Sequence, residues 1–138
     1  MQRSPKDEAQ RWLDQAGEDF TSAKILVEKR RYDAACFYFQ QAAEKALKAF
    51  LYAQGEEQVF GHSITQLLKA CVRYDPAFAS FGEEVNGLDL FYISARYPNG
   101  LPDSIPARVY NLAEAERAQA MAEKVIKKVK EKTKRKKK

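Results

Sequence analysis

At 138 residues, with 45% hydrophobic and 31% charged side chains, the chain has the size and balance of one folded domain, which excludes a disordered polymer or a pair of domains. No apolar run reaches the roughly 20 residues a membrane-spanning helix needs, and the opening MQRSPKDEAQ lacks the apolar centre of a secretory signal, so a cytoplasmic protein without membrane contact is expected. The net charge of +5 is uneven: residues 127–138 hold nine basic side chains and one acid, or +8, which leaves −3 on residues 1–126.

Ser4 before Pro5, with Asp7 and Glu8 following, combines a capping hydroxyl, a proline at the first helical position and acids near the positive end of the helix dipole. It predicts a helix from about Pro5 to Glu28. Trp12, Ala16, Phe20, Ala23 and Val27 keep the three- and four-residue rhythm of one buried stripe, and Gly17 lies off it.

After the polar joint KRRYD, the run AACFYFQQAAEKALKAFLYAQ is small or aromatic around most of its circumference and ends at Gly55, the pattern of a central helix. Cys36, Phe39, Ala43, Ala46 and Phe50 share a face, and the alanines permit close approach by neighbours. Gln40, Gln41, Glu44, Lys45 and Lys48 supply the polarity in its middle. Gln40, Glu44 and Lys48 are one turn apart, where an ion pair contributes about 0.2–0.5 kcal/mol on an isolated helix, so a structural network is the simplest reading. Lys48 also stands as a nucleotide-binding candidate.

Gly55 and Gly61 bracket a loop leading to Ser63, which forms a capping box with Gln66 and starts a helix that turns Ile64, Leu67, Leu68 and Cys71 inward. His62, the only histidine, directly precedes that cap. Its ring is placed to reach a phosphate at the positive helix N-terminus, or else to serve the helix entry alone. Pro76 interrupts the pattern, and Val85, Leu88, Tyr92 and Ala95 form a further helical stripe ending before Pro98. If the core does not consume them, Phe91 and Tyr92 are natural interface anchors.

Arg96 closes that stripe with Tyr97 beside it. A guanidinium there can clamp a phosphate while the ring stacks on a base, or it can pair with an acid or cap helix carbonyls. The following RYPNGLPDSIPA holds three of the five prolines and reads as an irregular loop. Asn111 with Glu114 caps a last helix whose Leu112, Ala115, Ala118, Ala122, Val125 and Val129 form a seam for a partner helix. The basic end from residue 127 to 138 is either a solvated helix end or an attractor of phosphate backbones.

Cys36 and Cys71 sit in apolar helical patterns with no CxxC spacing, so buried free thiols are expected and no metal or other cofactor. With no period-two alternation and no internal repeat, the architecture is all-α: an up-and-down antiparallel bundle of four to five helices over residues 1–126, with residues 127–138 as its basic C-terminal end.

FYFQQAAEKALKAFLYAQG, then GHSITQLLKA, then ARYPNG, in this order and at these separations, resemble the HEPN domain, over most of the chain from Trp12 to about Lys128. The resemblance implies a homodimeric bundle of four or five helices, nucleotide binding, and a minimal nucleotidyltransferase partner in a toxin and antitoxin pair. The candidate nucleotide-binding residues are Arg96, Tyr97, His62 and Lys48. Many branches of that family are metal-independent ribonucleases whose arginine is followed four to six residues later by a histidine. Neither Arg96 nor Arg108 is so followed here, which argues against an enzyme; Arg96 and His62 could meet only in space.

Overall fold

The computed structural model describes residues 3–134, and within them every regular element is helical. α1 (Pro5–Glu28) begins where the Ser4 hydroxyl accepts the Asp7 amide at 3.1 Å. Lys29–Arg31 reverse the chain, with Arg30 in the left-handed region at φ 60°, and α2 (Tyr32–Ala53) returns along α1. Their antiparallel register is fixed by the ring pairs Trp12–Tyr52 and Phe20–Phe39, at 5.3 and 5.2 Å between centroids, and by an ion pair of Asp19 with Lys45.

α3 (Ile64–Val72) and α4 (Ala77–Val85) pack against one another, and α3 also packs on α2. α7 (Leu112–Thr133) lies along α2 and touches α1. α2 is the central helix: Ala35, Ala42, Ala43, Ala46 and Ala49 are fully buried and meet Ala16 and Ala23 of α1 and Ala115, Ala118 and Ala122 of α7. Small side chains let the helix axes approach; Phe39, Leu47, Leu51 and Phe78 are among the largest side chains fully buried in the core.

The expected stripe from Val85 to Ala95 is not one helix. After α4 the chain takes a 3-10 turn over Asn86–Leu90, then a single turn α5 (Phe91–Ser94). Gly87 sits where an added Cβ would lie 3.4 Å from the Met121 sulfur, so α7 approaches closely at the bend. The bend carries Asp89 onto the start of α3. Its carboxylate accepts the Ile64 and Thr65 amides at 2.5 and 3.1 Å and the hydroxyls of Ser63 and Thr65. Between Tyr97 and Asn111 the proline-rich loop holds two further single turns, Pro98–Gly100 and α6 (Pro106–Val109).

Of the expected seam in α7, all but Leu112 are fully buried; Leu112, in the first turn, is 46% exposed. α7 continues past residue 126 with Val129 buried and Lys132 paired to Asp75; residues 135–138 of the basic end lie outside the described residues. No helix among the described residues is long and apolar enough to cross a membrane.

Candidate functional site

The polar middle of α2 organises one end of the bundle. Gln40, fully buried, donates from Nε2 to the His62 carbonyl at 2.9 Å and accepts from Gln41 at 2.8 Å. Gly61 takes φ 101°, a left-handed turn that brings the loop over this amide. The Glu44 carboxylate, 4% exposed, contacts Nδ1 of His62 at 3.2 Å, Nζ of Lys48 at 3.1 Å and Nε2 of Gln41 at 3.3 Å. A carboxylate so far from water is tolerated because these three donors surround it.

With Nδ1 facing a carboxylate, the neutral His62 ring carries its proton there and leaves Nε2 as an acceptor. The side chain is 57% exposed, so that nitrogen is accessible to a ligand. The imidazole stacks on Tyr92 at 4.7 Å with the planes 16° apart. Arg96, one turn after Tyr92, covers the same ring: its guanidinium carbon is 4.5 Å from the centroids of Tyr92 and Phe37 and 4.9 Å from that of Tyr97. Its Nε donates to the Tyr92 carbonyl at 2.7 Å. Among the described residues the two terminal nitrogens have no hydrogen-bond or ion-pair partner. They form a fork held in place by three rings, open to an oxyanion.

Three of the four sequence candidates therefore converge, since His62 and Arg96 share the Tyr92 ring and Tyr97 flanks the guanidinium. Arg96 caps a helix carbonyl through Nε, one of the two readings offered by the sequence, while its terminal nitrogens stay open. Lys48 is not at this surface. Its side chain is 7% exposed, and the ammonium sits between Glu44 and the Trp12 ring at 5.6 Å. The α3 N-terminus is not open to a phosphate either, because Asp89 already fills its anion position.

Glu44 as the partner of His62, and Tyr92 and Phe37 as the rings beneath Arg96, were not singled out from sequence. Tyr92 could have been, because it lies four residues before Arg96 on the same face; nothing local marks Phe37. Beside the imidazole, a cleft of about 260 Å³ is lined by Leu51, Val59, Phe60, His62, Gln66 and Leu67. Phe60 is 80% exposed at its edge.

The family model of the HEPN domain matches residues 9–132. Among solved structures, TT1696 from Thermus thermophilus is 39% identical with a TM-score of 0.82, covering 90% of this chain and 97% of that one. ST0689, an archaeal HEPN homologue, is 31% identical with a TM-score of 0.76, covering 97% of this chain and 100% of that one. A comparison with curated proteins finds no match.

Proposed function

The chain belongs to the HEPN domain family, and from that premise we propose that it is a homodimeric, nucleotide-binding protein that acts in the cytoplasm with a minimal nucleotidyltransferase in a toxin-antitoxin type pair. One observation carries the nucleotide site. Arg96, exposed and without a carboxylate partner among the described residues, is braced by Phe37, Tyr92 and Tyr97, and the Tyr92 ring is the one on which the His62 imidazole stacks. The guanidinium fork suits a phosphate, and Tyr97, 46% exposed, offers a face for a base.

Self-association is supported by the apolar surface next to this site. Leu90, Ile93, Tyr97, Ile105, Val109 and Leu112 are each 38–70% exposed along one stretch of chain. Phe91, by contrast, is buried, and Tyr92 is engaged by His62 and Arg96.

Thermal unfolding of wild type and Arg96→Ala with a panel of nucleotides and short RNAs tests the site. A ligand at 100 times its dissociation constant adds about 2.7 kcal/mol of stability to the wild type and little to the variant. No shift with any ligand rejects nucleotide binding and leaves a partner-binding scaffold. Light scattering reads the dimer, and co-purification with a co-encoded nucleotidyltransferase reads the partner.

The Tyr92 ring that His62 stacks on and Arg96 also covers favours a second reading, metal-independent RNA cleavage. A 2′-hydroxyl attacking the adjacent phosphate forms a 2′,3′-cyclic phosphate as the P–O5′ bond breaks; Nε2 of His62 would take the hydroxyl proton, Arg96 would stand against the phosphate charge, and the departing 5′-oxygen would take its proton from the imidazolium so formed or from water. Cleavage in the presence of a chelator, lost in both Arg96→Ala and His62→Ala, would establish it over simple binding.

A further inference from the structure

The lysines of α7 divide by what they face. Lys124 pairs with Glu84 at 2.6 Å, Lys132 pairs with Asp75 at 3.0 Å, and Lys128 lies 5.8 Å over the Phe81 ring, all on the side of α3 and α4. Lys127 and Lys130 instead line a groove of about 830 Å³ between α7 and α1, where Lys24 of α1 joins them. None of these three has an ion-pair partner among the described residues. The groove has Phe20 and Ile126 as its apolar part, Gly17 in its wall and Glu123 as its one carboxylate. A Cβ at Gly17 would meet nothing within 4 Å, so the wall is open there.

Across α1, the groove toward α2 has the opposite balance, with Glu8, Asp14 and Glu18 against Arg11 and Lys45. Of the two grooves flanking α1, the one toward α7 is thus the basic one. At the C-terminal end of α7 the sequence adds five more basic residues, 134–138.

We propose that the α1–α7 groove holds the phosphate backbone of a single nucleic-acid strand, with Lys24, Lys127 and Lys130 as its phosphate contacts. Unpaired lysines on both walls suit a polyanion. A surface groove of about 830 Å³ with lysines on both walls can follow one sugar-phosphate strand. The half-buried Phe20 ring holds the Lys24 ammonium 5.5 Å above it and so places that charge in the groove. No residue is shared with the Arg96 site, so this groove stands or falls independently of nucleotide binding there.

The test is fluorescence anisotropy of labelled 15-mer oligo-U and oligo-dT with the full chain across a salt series. Lys24→Gln, Lys127→Gln with Lys130→Gln, all three of these lysine changes together, and Gly17→Glu are compared with two controls. Lys124→Gln makes an equal charge loss on the opposite side of α7, and Ser22→Glu makes an equal charge gain on α1 outside the groove. Circular-dichroism melts check that each variant is folded.

Removing all three groove lysines should weaken binding by roughly 30-fold at moderate salt. It should also reduce the slope of log affinity against log salt by about 2, since each phosphate contact on a single strand contributes about 0.7. Lys24→Gln and Gly17→Glu, remote in sequence from the basic end, should each weaken binding several-fold while both controls stay within twofold. Three results would overturn the proposal: no binding by the wild type, groove variants indistinguishable from controls, or equally tight and equally lysine-dependent binding of polyglutamate or anionic phosphatidylserine vesicles.

Discussion

Replacing Lys48 by Met keeps the length of the side chain and its packing against Trp12 but strips Glu44 of its nearest full charge, the ammonium at 3.1 Å. A buried charge left without its partner costs about 3–5 kcal/mol. Here Nδ1 of His62 at 3.2 Å and Gln41 at 3.3 Å still face the carboxylate and offset part of that, so the expected loss is roughly 2–3 kcal/mol. For a domain of this size that lowers Tm by roughly 6–12 °C. Glu44→Gln makes the mirror-image error, stranding the Lys48 ammonium at 7% exposure, and should cost a similar amount. The double variant Glu44→Gln/Lys48→Met leaves no unpaired charge and should lie within about 1 kcal/mol of wild type. Urea unfolding followed by circular dichroism, read as a double-mutant cycle, checks this. A double variant that loses the sum of the two single effects would refute the reasoning, because it would mean that the two side chains stabilise the helix independently.

Asp89→Ala removes four hydrogen bonds from the start of α3 and should cost roughly 2–3 kcal/mol, with hydrogen exchange accelerated at Ile64 and Thr65 before it changes in α1 or α2. Burial pushes the thiols of Cys36 and Cys71 up to about 12 from an ordinary 9.0. Because these folded values are raised, the contribution of the neutral thiols is complete below pH 9 and is lost as pH climbs from 9 toward 12. Wild type should therefore lose more stability between pH 8 and 10.5 than Cys36→Ala/Cys71→Ala. Ellman's reagent should find no reactive thiol in the native protein at pH 8 and both after urea.

The helix starts that rest on a cap within one turn were legible in the sequence. Ser4 before Pro5 marked the first residue of α1, and Ser63 with Gln66 and Asn111 with Glu114 marked the starts of α3 and α7. What was hidden depends on chain separations of twenty residues or so. Asp89 caps a helix that begins 25 residues before it, and only the bend at Asn86–Leu90 brings it there, where the stripe from Val85 to Ala95 reads as continuous. His62 appeared solitary because its carboxylate lies 18 residues away across the loop. Lys48 read as available because a lysine four residues from a glutamate looks the same on a surface helix and on a buried one. The alanines, not the charges, carried the information that this helix is central.

The buried pair of Glu44 and Lys48 calls for a reason other than stability, since two well-packed apolar side chains would serve a helix centre equally well or better. What an apolar pair cannot do is hold an imidazole by its Nδ1 while the neighbouring Gln40 holds the backbone of the same residue. The polar run in α2 therefore reads as the support that fixes His62 against Tyr92, the ring that Arg96 also covers. On that logic a Glu44→Leu/Lys48→Met variant, which removes the acceptor of His62 Nδ1 together with both charges, separates folding from function. It should melt close to wild type yet lose most of any nucleotide-induced shift that depends on His62. A variant that kept the full shift would leave the buried charges without a functional role.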